Sequence, residues 1–415
     1  MDIRTRRTAA ITIVAIIIAL LLLAGITYGN YRYSVENPGG TDFLVHWVGT
    51  RALFGDGLSP YSDQVALRIQ TMVYGRAALP GEHELRVAYP LYSIVLFSPF
   101  ALISNFDLAR AFWMTFLEIA LVLMTFLLLR VAEWKPKPIM LALLLIFSVL
   151  WYHAMRPLIN GNAVILIALG LTGALLAIKY GADELAGVLL AFTTIKPQVV
   201  IVIIIFILFW ALSQNRKRLI LWFFIALVLL CASAMLLIPD WMIQNLREIL
   251  RYSSYNPPGT PAAALASWWP TLGTRIGELI SAACIVIMLV EWWFARKGGY
   301  RRFLWTACLT LVASQWVGIE NDPGNFIVLM PALILGFSVL AERWKAGTVA
   351  TVLIMLVLLA GLWALFVATV QHSYQPIQSP VMLFPLPAFL FVLLYWIRWW
   401  AIRPLDLWHS DDLLQ

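Results

Sequence analysis

Three charged residues stand beside long apolar runs, where their side chains could act together on a substrate that carries a phosphate. Asp42 stands at the head of the stretch 41–61, which follows the first apolar run. Arg156 follows another apolar run, and Lys196 lies between two more. A carboxylate can remove a proton from an acceptor hydroxyl, and cations can stabilise the charge of a departing phosphate. The pattern therefore fits transfer of a group from a lipid phosphate at a membrane boundary.

Each of these residues also has a simpler interpretation, and the residue types alone do not decide between the two. An Asp before an apolar-periodic run often caps a helix. A lone cation at a membrane boundary often anchors a helix by reaching toward the headgroups. Candidate substrate-binding residues near the three charges are His46, Arg51, Tyr61, Asn160, Asn162, Gln198 and Glu320.

The sequence predicts no metal site and no cofactor. It contains neither a glycine-rich nucleotide loop nor an aspartate-rich metal motif, which argues against a soluble nucleotide-sugar donor. The three cysteines all fall inside apolar runs, where they pack as small apolar residues.

The composition is that of an all-α, polytopic membrane protein. Of the 415 residues, 62% are hydrophobic and only 12% are charged. The net charge of +7 comes from basic residues in short loops, so it predicts membrane topology rather than nucleic-acid binding. The lipid bilayer is thus the first expected partner.

About 12 transmembrane helices are predicted, with both termini in the cytoplasm. The apolar runs cover approximately residues 8–29, 108–130, 139–155, 162–178, 185–195, 197–213, 219–238, 276–294, 303–319, 325–341, 347–370 and 381–397. This arrangement places 18 basic residues inside and five in the short outside loops, which agrees with the positive-inside rule. Asp42, Arg156 and Lys196 then share the extracytoplasmic face.

The outer loop, residues 30–107, is expected to hold interfacial helices. Residues 41–61 have apolar side chains at spacings of three and four, which predicts an amphipathic helix ended by glycines. Residues 89–103 are apolar but short and contain Pro90 and Pro99, which favours an interfacial helix over a span. If they did span, every later loop would change sides.

Three further features stay open at this point. Residues 185–195 form either a short span or half of a broken helix, and both versions leave Lys196 at a helix break. Glu118, midway along the second span, has either a structural or a functional role. The segment 239–273 contains an amphipathic run, W-M-I-Q-N-L-R-E-I-L-R-Y, that could cap a cavity.

The residues carry a resemblance to glycosyltransferase family 87. The stretch D-F-L-V-H-W-V-G-T-R-A-L-F-G-D-G-L-S-P-Y resembles the N-terminal signature of that family. Residues 89–102, L-I-N-G-N-A-V at 158–164 and the A-G…K-P segment within 185–197 are similar to its next elements, in order. The resemblance covers roughly residues 40–215. His46 and Asn162 depart from the family pattern, and the loop I-E-N-D-P-G-N lacks a histidine seen in many relatives.

The resemblance implies a GT-C fold and an active site on the extracytoplasmic face. It implies a polyprenyl-phosphate sugar donor, most often of mannose, and inversion at the sugar carbon. By this resemblance Asp42 is the catalytic base. From position and charge, we assign the donor phosphate to Arg156 and Lys196. The acceptor, a lipid or glycan hydroxyl, stays open.

The chain is expected to divide into two modules. Residues 1–218 would form a catalytic transmembrane module that includes the outer loop, and residues 219–415 a variable C-terminal module. The rival function is a membrane transporter or lipid flippase, but the charges collect on one face rather than near the midplane and no internal repeat is visible. Asp322, before a proline, is expected in a solvated turn.

Overall fold

The computed structural model describes residues 3–252, 255, 259–370 and 376–404, and they form helices joined by loops. Helices suit long apolar runs, because in lipid each backbone polar group must find its partner within the same segment. The helices of the first half are α1 (Ile3–Glu36), α2 (Thr41–Asp56), α3 (Asp63–Tyr74), α4 (Ile94–Ala101), α5 (Phe106–Val131), α6 (Pro138–Leu150), α7 (Tyr152–Asn160), α8 (Val164–Lys179) and α9 (Asp183–Thr193).

The second half continues in the same way, and the described residues include three short 3-10 segments. Its helices are α10 (Pro197–Ser213), α11 (Lys217–Leu237), α12 (Trp241–Tyr252), α13 (Pro261–Ala266), α14 (Pro270–Ala295), α15 (Tyr300–Ser314), α16 (Met330–Arg343), α17 (Gly347–Thr369) and α18 (Pro385–Ala401). The 3-10 segments are Leu91–Ser93, Pro323–Leu329 and Pro380–Leu383.

Seven helices of the described chain are long and apolar enough to cross a membrane, and the protein is therefore a multi-pass membrane protein. The number becomes eight if the bent pair α6 and α7 counts as one span. Three shorter apolar helices include Val164–Lys179 and Pro197–Ser213, both predicted as spans. The count of 12 stays a prediction.

The helix predicted from Thr41 is present as α2, but the expected one-sided burial is wrong. Residues 43–50 are all buried, because α3, α4 and α7 pack around this helix. Phe43 stacks on Trp113 with ring centroids 5.3 Å apart. The helix that begins with Asp42 is thus enclosed by protein.

The short apolar segment 89–103 within the outer loop is too short to cross a bilayer. Its helical part, Leu91–Ala101, is about 17 Å long at about 1.5 Å per residue, against a hydrocarbon thickness of about 30 Å. Its position at the interface stays a prediction.

The predicted span 139–155 is two helices. Helix α6 ends at Leu150 and α7 begins at Tyr152, with a bend of 47° between them. Arg156 therefore lies within a helix, and the prediction that it belongs to a loop is wrong. Pro157 is also inside α7, which ends at Gly161 in the left-handed conformation.

The helix break predicted at Lys196 is confirmed. Helix α9 ends at Thr193, and α10 begins at Pro197, whose fixed φ suits the first helical position. Lys196 stands immediately before α10 with a non-helical backbone, and its side chain is buried.

Glu118 pairs inside the helix bundle. The amide of Asn30 on α1 donates to Glu118 Oε2 at 3.1 Å and to Thr115 Oγ1 at 3.0 Å, both on α5. The carboxyl group therefore joins the first helix to the bundle.

Helix α12 is the amphipathic helix predicted in segment 239–273. Its buried residues Trp241, Asn245 and Glu248 recur at four and three residues and form one face. Glu248 pairs with Arg86 of the outer loop at 2.5 Å, and the Asn245 amide donates to the carbonyl of Ala88 at 3.0 Å. This face fixes α12 on the outer loop. Residues 253–254 and 256–258 of the predicted segment lie outside the described residues.

Candidate functional site

The side chain of Asn162 joins the predicted base to one of the predicted cations. Its amide nitrogen donates to Asp42 Oδ2 at 3.0 Å, and its oxygen accepts from Lys196 Nζ at 2.9 Å. The same oxygen accepts from the backbone N–H of Val164 at 2.9 Å and the Tyr89 hydroxyl at 3.3 Å. Asn162 therefore holds α2 and the α9–α10 break in one arrangement.

Asp42 does not cap its helix. Gly40 occupies the N-cap position, and Asp42 lies in the first turn, where the helix dipole favours a carboxylate. Its side chain is half-buried, and this loss of water raises the pKa of the Asp42 carboxyl. Lys196 acts in the opposite direction, while the negative charge of Asp322 raises the pKa further. A carboxylate whose pKa is shifted toward neutrality suits a general base.

Lys196 is a buried ammonium group held by two amide oxygens. Its Nζ atom donates to Asn162 at 2.9 Å and to Asn325 at 2.7 Å, and it lies 5.4 Å from the centre of the Tyr89 ring. Burial lowers the pKa of Lys196 to about 8, although the carboxylates of Asp42 and Asp322 favour the charged form. One of its three N–H donors is left for a substrate.

Arg156 is better exposed than Lys196. Its half-buried guanidinium lies 5.6 Å from the centre of the Phe366 ring and donates no hydrogen bond to any residue that the structure describes. The positive charge of Arg156 acts to lower the pKa of Asp42, because it favours the ionised form of that carboxyl. Within the described part of the chain, no residue occupies its N–H donors, and a guanidinium suits a planar, bidentate anion.

His46 and Tyr61 support the site from behind. The His46 ring stacks on Phe97 at 4.5 Å and contacts Tyr89 at 4.2 Å. Burial lowers the pKa of His46 to about 3, so the imidazole is neutral. The Tyr61 hydroxyl donates to the Tyr89 carbonyl at 2.7 Å. Both residues therefore position Tyr89, which in turn contacts Asn162.

The structure does not bring the other four candidates into this network. Arg51 donates to the Ala101 carbonyl at 2.8 Å. Gln198 is exposed on the first turn of α10, and Asn160 is a half-buried residue at the end of α7. Glu320 is half-buried before the 3-10 segment Pro323–Leu329, and its charge acts on the Tyr252 hydroxyl.

Two residues of the site were missed as candidates by sequence reasoning, and both come from the polar run before α16. Asn325 is 3% exposed and contacts Lys196 directly. Asp322 is exposed, as expected for a turn residue, and accepts from the Gly324 N–H and from Gln378, both at 2.7 Å. Its charge nevertheless reaches Asp42. The available signal was an amide at the first position of the predicted span 325–341, where polar side chains are rare.

Gly161 lets Asn162 reach Asp42, and its replacement by Ala is expected to destabilise the protein. Gly161 has a φ of +71°, and an added Cβ would lie 2.5 Å from Phe43 Cβ. The expected loss is about 2–4 kcal/mol, from left-handed strain and overpacking together. Gly57→Ala is the matched control, since Gly57 has a φ of +65° and nothing within 4 Å. Its expected loss is about 1–2 kcal/mol. Thermal midpoints in detergent measure both, and equal shifts would contradict this steric argument.

Comparison with known proteins adds one positive finding. The model of glycosyltransferase family 87 matches residues 87–315. No curated protein and no solved structure matches the chain significantly. The matched range contains Arg156, Asn162 and Lys196, begins after Asp42 and ends before Asn325. Because this range is more than half of the 415 residues, the protein belongs to glycosyltransferase family 87.

Proposed function

We propose that this membrane glycosyltransferase moves a sugar, mannose in the first instance, from a polyprenyl-phosphate donor to an acceptor hydroxyl. The observation that carries the proposal is the half-buried Asp42 carboxylate, joined through Asn162 to the buried Lys196 ammonium. A base next to a fixed positive charge is what attack on a sugar phosphate requires. The family supports sugar transfer, and the apolar helices suit a lipid-linked donor.

In the proposed reaction, Asp42 removes the proton from the acceptor hydroxyl as the oxygen attacks the anomeric carbon. The bond between that carbon and the phosphate oxygen breaks, and the lipid phosphate leaves with the electron pair. Arg156 binds the phosphate through its free donors, and Lys196 contributes its charge and its remaining N–H. One displacement inverts the anomeric centre and needs only one carboxylate.

The proposed architecture is a GT-C fold with the site on the extracytoplasmic face and both termini in the cytoplasm. The distribution of basic residues supports this orientation, since 18 lie in the loops assigned to the inside. The packing of α2 against α3, α4 and α7 supports an outer loop that folds onto the bundle. The acceptor is a lipid or a glycan.

Transfer is expected to depend on pH with a maximum between two titrations. Asp42 must be ionised, so the rate rises as pH passes its raised pKa. Lys196 must be protonated, so the rate falls as pH passes about 8, which is the pKa of Lys196. The check is kcat from about pH 5 to about pH 10, with activity re-measured at neutral pH to exclude irreversible loss. A rate that stays constant from about pH 7 to about pH 10 would contradict the role of Lys196.

The function itself is tested with purified protein in nanodiscs, radiolabelled polyprenyl-phosphate mannose and a membrane lipid extract. Transfer of label to a new product supports the proposal, and the product identifies the acceptor. Transfer only from another polyprenyl-phosphate sugar would keep the mechanism and change the sugar. No transfer from any lipid-linked donor would overturn the proposal, and movement of labelled lipid between leaflets would favour the flippase.

A further inference from the structure

We infer that Asn325 is a positioning residue, which aims the Lys196 ammonium at the donor phosphate from the second half of the chain. The inference rests on the proposed function and extends it to a segment beyond the residues that match the family. Asn325 belongs to the 3-10 segment Pro323–Leu329, whereas Lys196 stands before α10. The contact therefore joins parts of the chain that are 129 residues apart.

A chain of buried amides leads away from Lys196 through Asn325. The Asn325 oxygen accepts from Lys196 at 2.7 Å, and its amide nitrogen donates to Asn321 Oδ1 at 2.6 Å. The amide of Asn321 donates to Gln315 Oε1, and the Gln315 amide donates to the Leu311 carbonyl at 2.8 Å. The three amide residues are each at most 5% exposed.

The two ends of this chain determine how every amide is oriented. An ammonium group only donates, so Asn325 must present its oxygen to Lys196 and its nitrogen to Asn321. A backbone carbonyl only accepts, so Gln315 must present its nitrogen to Leu311 and its oxygen to Asn321. Both conditions give the same direction, in which each side-chain oxygen points toward Lys196. Aligned dipoles of this kind reinforce one another and favour a positive charge at their end.

Charged and titratable groups from other elements also face Lys196. Asp42 and His46 approach it from α2, Tyr89 from the outer loop, and Asp322 from the turn before Asn325. Among the described residues, Asn162 and Asn325 accept the hydrogen bonds of the Lys196 ammonium, and both side chains are uncharged. Asn325 thus holds the ammonium in place, and the Asp42 carboxylate remains able to take the proton of the acceptor hydroxyl.

The test uses Asn325→Leu and the nearly isosteric Asn325→Asp in the full-length protein in nanodiscs. The loss of the proton from Lys196 is followed by the pH dependence of its modification by a small amine reagent, read by mass spectrometry. Leucine removes an acceptor and is expected to lower the midpoint by about one pH unit or more. Aspartate adds a facing charge and is expected to raise it by a similar amount. Asn30→Leu, a buried amide on α1, is the matched control and should leave the midpoint unchanged.

Sugar transfer by the same variants separates the inference from the proposed function. The alkaline limb of the rate is expected to move with the midpoint, downward for Asn325→Leu and upward for Asn325→Asp. The modification midpoint of Lys196 could shift in opposite directions in the two variants while neither the variants nor the wild type transfers sugar. This result would support the positioning of Lys196 and overturn the proposed function. Transfer with unshifted midpoints in both variants would overturn the inference. If the leucine variant does not fold, the upward shift in the aspartate variant decides alone.

Discussion

Asp42→Asn is expected to lower kcat by about 10²–10⁴-fold, the usual contribution of a general base. Asparagine has the same shape as aspartate. Its side-chain oxygen can still accept the hydrogen bond that the Asn162 amide donates to the Asp42 carboxylate at 3.0 Å in the wild-type protein. It cannot take a proton from the acceptor hydroxyl. Because neither assigned phosphate ligand is changed, the affinity for the donor should change little. Single-turnover rates and equilibrium binding of the labelled donor measure the two quantities separately.

Asp322→Asn is the control for this experiment. It removes a carboxylate whose negative charge raises the pKa of Asp42. The hydrogen bonds of Asp322 go to Gly324 and Gln378. Losing this charge lowers the pKa of Asp42, so the acid limb of the rate should move down while the maximal rate is largely kept. Equal losses in both variants would argue against Asp42 as the only base. Full turnover by Asp42→Asn would remove it from the mechanism.

Lys196→Met is expected to lower kcat by about 10²–10³-fold, as for loss of one group that stabilises transition-state charge. Methionine is similar in length but leaves the Asn325 oxygen without its donor, which costs about 1–3 kcal/mol of stability. The Asn162 oxygen keeps its hydrogen bonds from Val164 and Tyr89. Loss of the cation also raises the pKa of Asp42, so the acid limb should move to higher pH. Rates across pH and thermal midpoints test these effects together.

Two comparisons show whether charge alone explains the Lys196 result. Lys196→Arg keeps the charge, but a planar guanidinium does not fit the two oxygens that bind a compact ammonium, so little activity should return. Arg156→Met removes a cation that makes no hydrogen bond to the described protein, and it should weaken donor binding with little loss of stability. Wild-type kcat in Lys196→Met would show that this ammonium does not assist the reaction.

Local sequence signals predicted where α2 and α10 begin and end. Gly57, in the left-handed conformation, ends the helix that contains Asp42. Pro197 starts α10 and leaves Lys196 at the break. These positions depend on backbone chemistry of a few neighbouring residues, which is visible in one sequence.

The rest of the site depends on packing between distant segments, which periodicity does not encode. The spacing of residues in α2 predicts one buried face, but the helix is enclosed, because outer-loop and bundle helices pack around it. The apolar run 139–155 predicts one span that ends before Arg156, yet the break occurs at Trp151, which is neither Gly nor Pro. The contact between Asn325 and Lys196 joins residues 129 positions apart, so no local pattern could identify it.

The ion pair between Arg86 and Glu248 sets an order of events during synthesis. Glu248 follows Arg86 by 162 residues, and both side chains are buried in the finished protein. At about 5–20 residues per second, the ribosome needs about 8–30 s to supply the second partner. Throughout that interval Arg86 can pair with Asp63 of the outer loop, which lies 2.7 Å away in the finished protein, but its buried partner Glu248 is missing. The outer loop therefore gains its buried ion pair only after the chain has been made as far as α12.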